Sequence, residues 1–411
     1  AFAGAVLCAR LLPPALRRLE RASRSHGGPA LRLAALSLVR APGRSAVAVG
    51  VLVAAVGLGQ FALAYRSTLD RHVAAEARFQ VPADYVLSEN LLRLVPPAAV
   101  ASPAAVEGRL PGTRVAPVLR VAADVDGLGA QAQGDLLGLP PAALPQGTPA
   151  LGLRGGAALR GVRLPAGARQ LELPVQLAGA TLRLQATVRT RAGLAVTVPL
   201  GTAGPGRSLL AAPLPEAARS GLLVALGLDL PTRGTRRGVP GDFYAEEQQR
   251  GTLRLGPLAA DGAPVAGGGF AGWVARGDAA AAGAGAFRVA VGSDASTFLR
   301  PRQPTDGVAL PVVATRALAR LADERGRLTL SFGDRTLEVH VVREVARVDG
   351  AGGEALVADG DALATALDAD APGTAVVGEW WIDGPPGLER ALAEAPLDLL
   401  DLASRRAVEA G

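Results

Sequence analysis

An uncharged apolar stretch, SAVAVGVLVAAVGLGQFALAY at residues 45–65, constrains this chain more than any other feature. As an α-helix rising about 1.5 Å per residue, it would measure roughly 31 Å, which matches the hydrocarbon core of a bilayer. Arg40 and Arg44 precede the stretch, and Tyr65 and Arg66 follow it, where aromatic rings and long cationic side chains suit the interface. The sequence therefore predicts a transmembrane helix over residues 45–65, with the lipid bilayer as its surroundings.

The distribution of charge predicts the orientation of this helix. Residues 1–44 carry eight arginines and one glutamate, whereas the whole chain of 411 residues has a net charge of +6. A basic tract directly before an apolar helix is typical of a cytoplasmic flank, so we expect residues 66–411 to be extracytoplasmic. Since the positive charge is confined to this tract, we do not expect nucleic acid as a partner.

A signal peptide is the alternative interpretation of the apolar stretch. Ala62, Leu63 and Ala64 form an A-x-A cleavage pattern, and arginines lie upstream of it. The stretch is longer than a usual signal core, however, and 44 residues precede it. Hydrophobic residues make up 49% of the chain and the mean hydropathy is +0.27, which also favours a membrane protein.

The residues before this helix are predicted in two parts. Residues 1–16 open inside an apolar run without Met and stop at Pro13 and Pro14, so we expect the end of a preceding transmembrane helix. Residues 17–44 are predicted as a basic cytoplasmic linker followed by a short interfacial helix. We interpret the chain as a fragment of a multi-pass protein of the cell membrane.

Residues 66–149 are predicted as a stalk and the first part of an extracytoplasmic core domain. Leu69 and Val73 are four residues apart, so we expect the helix to continue until Pro82. The segments ADYVLSE and TRVAPVLRVAADVDG are predicted as strands.

Residues 150–305 are predicted as an antiparallel β-sandwich of jelly-roll type, inserted into that domain. Alternating apolar residues between Gly and Pro turns support this interpretation. A hairpin is expected to turn at Ala192 and Gly193, with Leu184, Ala186 and Val188 on one face. The predicted strands are RQLELPVQLA, ATLRLQATVRT, LAVTVPLG, SGLLVALGLDL, GTLRLGPLAA, GFAGWVARG and AFRVAVG.

Residues 306–411 are predicted as the second part of the core domain, with an α+β fold. LPVVATRALARLADERG is predicted as a strand and a helix, and the next hairpin as turning at Gly333 and Asp334. A further helix is expected to be capped by Asp359 or Asp361. The fold class is thus a transmembrane α-helix plus an extracytoplasmic α+β domain with an inserted sandwich.

The sequence offers no catalytic, cofactor-binding or metal-binding residues, and we expect neither enzyme activity nor a cofactor. Cys8 is the single cysteine, and His26, His72 and His340 are scattered without metal-ligand spacing. The chain has no Walker A or GxSxG pattern, and the context of Gly267 to Gly269 does not suit a nucleotide loop. A polar run includes Asp242, Glu246 and Glu247, for which a solvated loop is favoured over a ligand site.

Three tryptophans are candidate anchors for cores or interfaces, since aromatic residues make up only 3% of the chain. Trp273 lies in a predicted sandwich strand, and Trp380 and Trp381 are adjacent in GEWWIDG. Strand alternation places these two on opposite faces, so we expect one in the core and the other towards a partner domain. For Trp381, core packing is favoured over stacking on a ligand.

With these features, the chain resembles the FtsX-like permease family of ABC transporters, which includes the MacB and lipoprotein-release permeases. Residues 31–88 are similar to the family's entry helix, membrane helix, stalk and first outer strand. Residues 310–348 are similar to the later part of its outer domain. The resemblance implies a permease subunit without ATPase activity that works with a separate cytosolic ATPase subunit and with other transmembrane helices.

The resemblance leaves the transported substrate or extracytoplasmic partner open. Some family members export substrates, and others transmit force to partners outside the membrane. The predicted sandwich departs from the compact family pattern, and the apolar amino terminus suggests the second half of a duplicated permease. One alternative function is a single-pass cell-surface protein whose sandwich binds cell-envelope glycan, and another is an enzyme of unrecognised type.

Overall fold

The computed structural model divides the chain into two compact units, Ala1–Glu76 and Ala77–Gly411. The residues it describes are 42–127, 130–145, 147–149, 151–153, 156–231, 249–292, 296–333 and 335–410, with the single helical positions Arg10, Pro14, Arg18 and Arg21. His26, Asp242, Glu246 and Glu247 lie outside the described residues, as do most of residues 1–41. The coarse architecture is one long apolar helix and a mostly β unit.

Helix α1 runs from Pro42 to Gln80 and contains the whole apolar stretch. The helix continues to Gln80, two residues before Pro82, as predicted. Proline ends the helix because it lacks the N–H that another turn requires. The part of the helix over Val51–Gln80 is long and apolar enough to cross a membrane. Its large apolar side chains are exposed, with Leu58 at 68%, Phe61 at 67% and Leu63 at 70%.

The remaining elements fall into three consecutive segments of the chain. The first contains β1 (Tyr85–Ser88), α2 (Pro97–Val100), α3 (Pro103–Arg109), β2 (Arg114–Gly127), β3 (Ala130–Leu139) and a 3-10 turn (Pro141–Ala143). The second contains β4 (Val162–Arg163), β5 (Gln170–Ala178), β6 (Leu182–Arg189), β7 (Ala195–Ala203), β8 (Gly206–Pro213), a 3-10 turn (Glu216–Ala218), β9 (Leu222–Asp229), β10 (Gln249–Leu255), β11 (Ala259–Ala260), β12 (Ala263–Pro264), β13 (Trp273–Arg276), β14 (Ala279–Gly283), β15 (Ala286–Val291) and β16 (Thr297–Pro301). The third contains β17 (Leu310–Thr315), α4 (Arg316–Ala319), β18 (Arg327–Phe332), β19 (Arg335–Val345), β20 (Ala355–Asp359), α5 (Gly360–Asp370), β21 (Glu379–Asp383), α6 (Glu389–Leu392), a 3-10 turn (Leu397–Leu399), β22 (Asp401–Ser404) and α7 (Arg405–Ala410).

Strands of the first and third segments form one sheet, in the order β18-β19-β17-β20-β3-β2-β21-β1-β22 within the described residues. An additional pairing of β18 with β2 closes six of these strands into a barrel. Leu136, Val312, Leu330 and Leu356 fill its interior. The closure was not predicted, because it depends on pairing between strands about 200 residues apart.

Strands of the second segment form two further antiparallel sheets. In the described residues, one has the order β12-β11-β5-β10-β15-β14 with β8 also on β5, and the other has β13-β16-β9-β6-β7 with β4 also on β9. Inward side chains from both sheets form a single hydrophobic cluster that includes Leu173, Leu184, Leu226 and Phe287. Two sheets that bury a common cluster are stabilised mainly by the hydrophobic effect.

Most local predictions in these segments are confirmed. Every segment predicted as a strand between residues 150 and 305 contains one, and β6 and β7 form the expected hairpin with Gly193 at φ +83°. Leu184, Ala186 and Val188 are fully buried on one face. The structure adds strands that were not predicted, namely β4, β8, β12, β14 and β16.

The third segment also follows its local predictions. Asp359 is the cap of α5, since its carboxylate accepts a hydrogen bond from Ala362 N at 2.9 Å. Gly333 has φ +64° between β18 and β19, and Asp334 lies outside the described residues. The domain boundaries near residues 150 and 305 stay predictions.

The expectation for the paired tryptophans is wrong in one respect. Trp380 and Trp381 lie on opposite faces of β21, but both are buried within the unit, at 0% and 7% exposure. Trp380 packs with Tyr85 and Leu87, and Trp381 packs with Ala83 and Val118. Both faces of the sheet are covered at this strand, so neither ring is directed towards a partner domain.

Candidate functional site

The last four residues of α1, Ala77–Gln80, belong to the second unit and take part in a group of contacts that we call the root. The root comprises Ala77–Asp84 with Arg120, Asp135, Arg347, Gly350, Glu379, Trp381 and Arg405. Within it, Ala77, Val81 and Ala83 are each at most 4% exposed. Burial of these small side chains packs the last turn of α1 and the residues after it into the interior of the unit Ala77–Gly411.

Phe79 joins this last helical turn to the loop before β20. Its carbonyl oxygen accepts a hydrogen bond from Gly350 N at 2.8 Å, and the Arg347 guanidinium lies 3.8 Å from its ring centroid. Gly350 has φ +79°, and a Cβ there would lie 2.7 Å from Pro82 and 2.9 Å from Trp381. Only glycine therefore permits this close approach.

Arg120 joins three neighbouring strands beneath the same loop. Its Nε lies 2.5 Å from Glu379 Oε1, its Nη1 lies 2.6 Å from Asp135 Oδ2, and its Nη2 donates to Gly350 O at 2.7 Å. Burial alone would lower the pKa of Arg120, but the hydrogen bond to Glu379 and the charges of both carboxylates raise it. The guanidinium therefore stays charged and holds β2, β3 and β21 to the loop.

Asp84 and Arg405 complete the root on its other side. The two side chains form an ion pair, Arg405 N donates to Asp84 O at 3.0 Å, and Arg405 Nη1 donates to Pro82 O at 3.3 Å. Gly384 N also donates to the Asp84 carboxylate at 3.0 Å. Because Arg405 is the first residue of α7, this helix begins beside the residues at which α1 ends.

A second polar group, which we call the lock, connects the strands of the second segment to α5. It comprises Arg189, Arg300, Gln303, Asp306 and Asp368. Arg300 is 1% exposed, donates from Nε to Ala369 O at 2.6 Å, and forms a bidentate pair with Asp306 at 2.9 and 2.6 Å. A cation near the last carbonyls of α5 is favoured by the helix dipole.

Arg189 and Asp368 form the other half of the lock. Their side chains make an ion pair in which Asp368 is 1% exposed, and Arg189 Nη1 donates to Ala375 O at 2.7 Å. The Asp368 carboxylate also accepts from Gly373 N and Ala375 N, each at 3.1 Å. Asp368 is thus buried with its charge compensated and its oxygen atoms hydrogen-bonded.

Comparison with protein-family models, curated proteins and solved structures gives no match. The root and the lock must therefore be interpreted from their own geometry.

The residues weighed in the sequence for chemistry are not brought together. His72 lies exposed on α1 and His340 lies exposed on β19. In the described ranges, no group of three or more His, Cys, Asp or Glu residues is arranged to hold a metal ion. Trp273 is buried against Phe270, with an edge-to-face centroid distance of 4.8 Å, so it anchors a core as expected.

Sequence reasoning missed the arginines of both groups. Alternation places Arg189 on the outer face of β6, where it would ordinarily be solvated, and nothing in its neighbourhood indicates that α5 covers it. Arg300 carried no local signal either, because only Phe298 and Leu299 are apolar beside it, and the burial of β16 on both faces is visible only in the structure.

Proposed function

We propose that this chain is part of the permease subunit of an ABC transporter complex of the FtsX-like family. In this proposal, α1 crosses the bilayer, residues 1–44 lie in the cytoplasm, and residues 66–411 lie outside. ATP hydrolysis belongs to a separate cytosolic subunit. The observation that carries the proposal is the continuity of α1, which is apolar and exposed from Val51 and is built into the root at its end.

The root gives the proposal a mechanical element. A shift of α1 along or across its axis would be applied to Phe79 and Pro82, which contact Gly350 and Arg405. Because Gly350 O accepts a hydrogen bond from Arg120, the same displacement would be transmitted to Arg120 and to the strands that Arg120 joins. Such an arrangement suits coupling of a cytosolic ATPase either to export or to mechanotransmission outside the membrane.

We interpret the second segment, residues 150–305, as a β-sandwich inserted into the outer domain. The chain leaves the nine-stranded sheet after β3 and returns to it at β17, and the two intervening sheets share one hydrophobic cluster. The lock then makes the sandwich and α5 move together, because separating them would leave Arg300 or Asp368 as a buried charge without its partner.

Sidedness is tested first. In a Cys8→Ser background, single cysteines replace Ser25, in the basic tract, and Thr197, which is exposed on β7. A membrane-impermeant maleimide is expected to label Thr197→Cys in intact cells, and Ser25→Cys only after permeabilisation. The Cys8→Ser parent is the control. Equal labelling of both cysteines contradicts the orientation, and release of the chain by cleavage after Ala64 contradicts the membrane anchor.

The partner is tested by purifying the full-length protein from its native membranes. We expect a nucleotide-binding subunit to accompany it in fixed stoichiometry and the complex to hydrolyse ATP. A Glu379→Gln variant weakens the root without changing a residue of α1. We expect it still to co-purify with the nucleotide-binding subunit but to show a changed level of the export or mechanotransmission that the complex couples to ATP hydrolysis. Purification of the protein alone, with full activity and no ATPase, contradicts the proposal.

A further inference from the structure

A polar cleft lies where the outer face of β6 and β9 meets the end of α5 and the start of β19. It has a volume of about 630 Å³, within the range of small-molecule sites. Gln185 and Thr187 of β6 and Gly227 of β9 form part of its floor, and Thr336 and Thr374 stand at its walls. Both sides of the cleft belong to the unit Ala77–Gly411.

The charges that line the cleft balance. The lining contains two acidic residues, Asp229 and Asp370, and two basic residues, Arg276 and Arg335. Asp229 lies 3.8 Å from the Arg183 guanidinium, and Arg276 lies 3.6 Å from Asp306, so part of this charge is already compensated. Because these charges balance, the cleft carries no net charge that would favour an anionic or a cationic ligand.

The neutral groups of the cleft set the ligand chemistry. The Gln185 amide and the hydroxyl groups of Thr187 and Ser296 supply both donors and acceptors, and the Thr374 hydroxyl, which donates to Ala371 O at 2.8 Å, supplies an acceptor. Pro372 adds an apolar surface beside them. Hydroxyl-rich ligands with apolar C–H faces present the complementary mixture of groups.

We propose that this cleft binds an uncharged oligosaccharide. The amide and hydroxyl groups exchange hydrogen bonds with the sugar hydroxyls, and the apolar wall packs against a ring face. Gly227 keeps the cleft open, because a Cβ at this position would lie 2.8 Å from Gln185 Cγ and push the Gln185 side chain into the cleft. The inference goes beyond the permease assignment and does not depend on it, since the cleft is the same whether or not α1 spans a membrane.

The test is a calorimetric titration of the full chain in a detergent that has no sugar headgroup. The probes are tri-N-acetylchitotriose, which is neutral, its deacetylated cationic form, and trigalacturonate, which is anionic. Two variants alter the cleft in different ways. Gln185→Leu removes the side-chain amide, and Gly227→Val fills the floor of the cleft with a residue that is favourable in a β-strand. Gln176→Leu, an exposed position on the other sheet, is the matched control.

We expect saturable binding of the neutral trisaccharide, weakened at least tenfold by Gln185→Leu and by Gly227→Val and unchanged by Gln176→Leu. Circular dichroism verifies the fold of each variant, and either cleft variant alone suffices if the other does not fold. Unchanged binding in the cleft variants, preference for a charged probe, or no binding of the three probes overturns the proposal. Loss of the ATPase partner, by contrast, would overturn only the permease assignment.

Discussion

The root and the lock both use arginine to join distant parts of the chain, but they differ in their access to water. In the root, the side chains of Arg120 and Asp135 are 27% and 31% exposed. In the lock, those of Arg300 and Asp368 are 1% exposed. Water can replace protein partners at the root at moderate cost, whereas a broken pair in the lock leaves a buried charge. The difference identifies the root as the adjustable connection and the lock as the rigid one.

The largest expected effect is that of Arg300→Met, which keeps the aliphatic volume and removes the charge. It leaves the Ala369 carbonyl and the Asp306 carboxylate without their main donor, so the free energy of unfolding should fall by about 3 to 5 kcal/mol. Denaturant unfolding of the full chain in detergent measures the change. Arg276→Met, which removes an exposed partner of the same carboxylate, is the control and should cost under about 0.5 kcal/mol. Similar losses for both variants would remove the distinction between buried and exposed pairs.

Asp368→Asn should have the next largest effect. The amide keeps one oxygen for Gly373 N and Ala375 N but loses the charge that pairs with Arg189. We expect a loss of about 2 to 3 kcal/mol by the same measurement. A double-mutant cycle with Arg189→Met isolates the pair, and a coupling energy near zero would show that the ion pair does not hold the sheets to α5.

Glu379→Gln tests the root. It removes the charge facing Arg120, while the side-chain oxygen can still accept from Trp381 Nε1, now 3.0 Å away. Because these groups are partly hydrated, we expect a loss of only about 1 to 2 kcal/mol. Glu344→Gln, at an ion pair whose side chains are 67% and 51% exposed, is the control and should change little. A loss at Glu379 as large as that of Arg300→Met would make the root as rigid as the lock.

The sequence predicted elements better than the connections between them. Leu184, Ala186 and Val188 could be assigned to one buried face because strand alternation is a local property. A carboxylate cap for α5 was likewise visible in the sequence, which left Asp359 and Asp361 as alternatives, and the structure selects Asp359.

The barrel and the two arginine groups depend on pairings that no local pattern records. β2 meets β18 across about 200 residues, and Arg189 reaches Asp368 from a position that alternation assigns to solvent. Trp380 and Trp381 illustrate the same limit, since alternation placed them on opposite faces but could not show that both faces are covered. Periodicity reports which side of a strand is apolar, and long-range packing decides what covers each side.

The last comparison concerns the dependence of the unfolding free energy on pH. Burial alone would raise the pKa of Asp306, but hydrogen bonds from Arg300 and Gln303 N and the positive charge of Arg300 lower it below its ordinary value of 3.8. A lowered pKa in the folded state means that the carboxylate contributes stability at pH values above the unfolded pKa. This contribution disappears as the pH falls through the folded value.

The unfolding free energy of the chain should therefore fall steadily below about pH 4, and Asp306→Asn should flatten that part of the profile while remaining less stable at pH 7. Denaturant titrations at intervals between pH 7 and pH 2.5 measure both curves. Asp401→Asn, an exposed carboxylate outside the lock, serves as the control and should retain the wild-type slope. If the Asp306→Asn curve runs parallel to the wild-type curve down to pH 2.5, Arg300 does not favour the ionised carboxylate. The contrast between lock and root would then rest on packing rather than on charge.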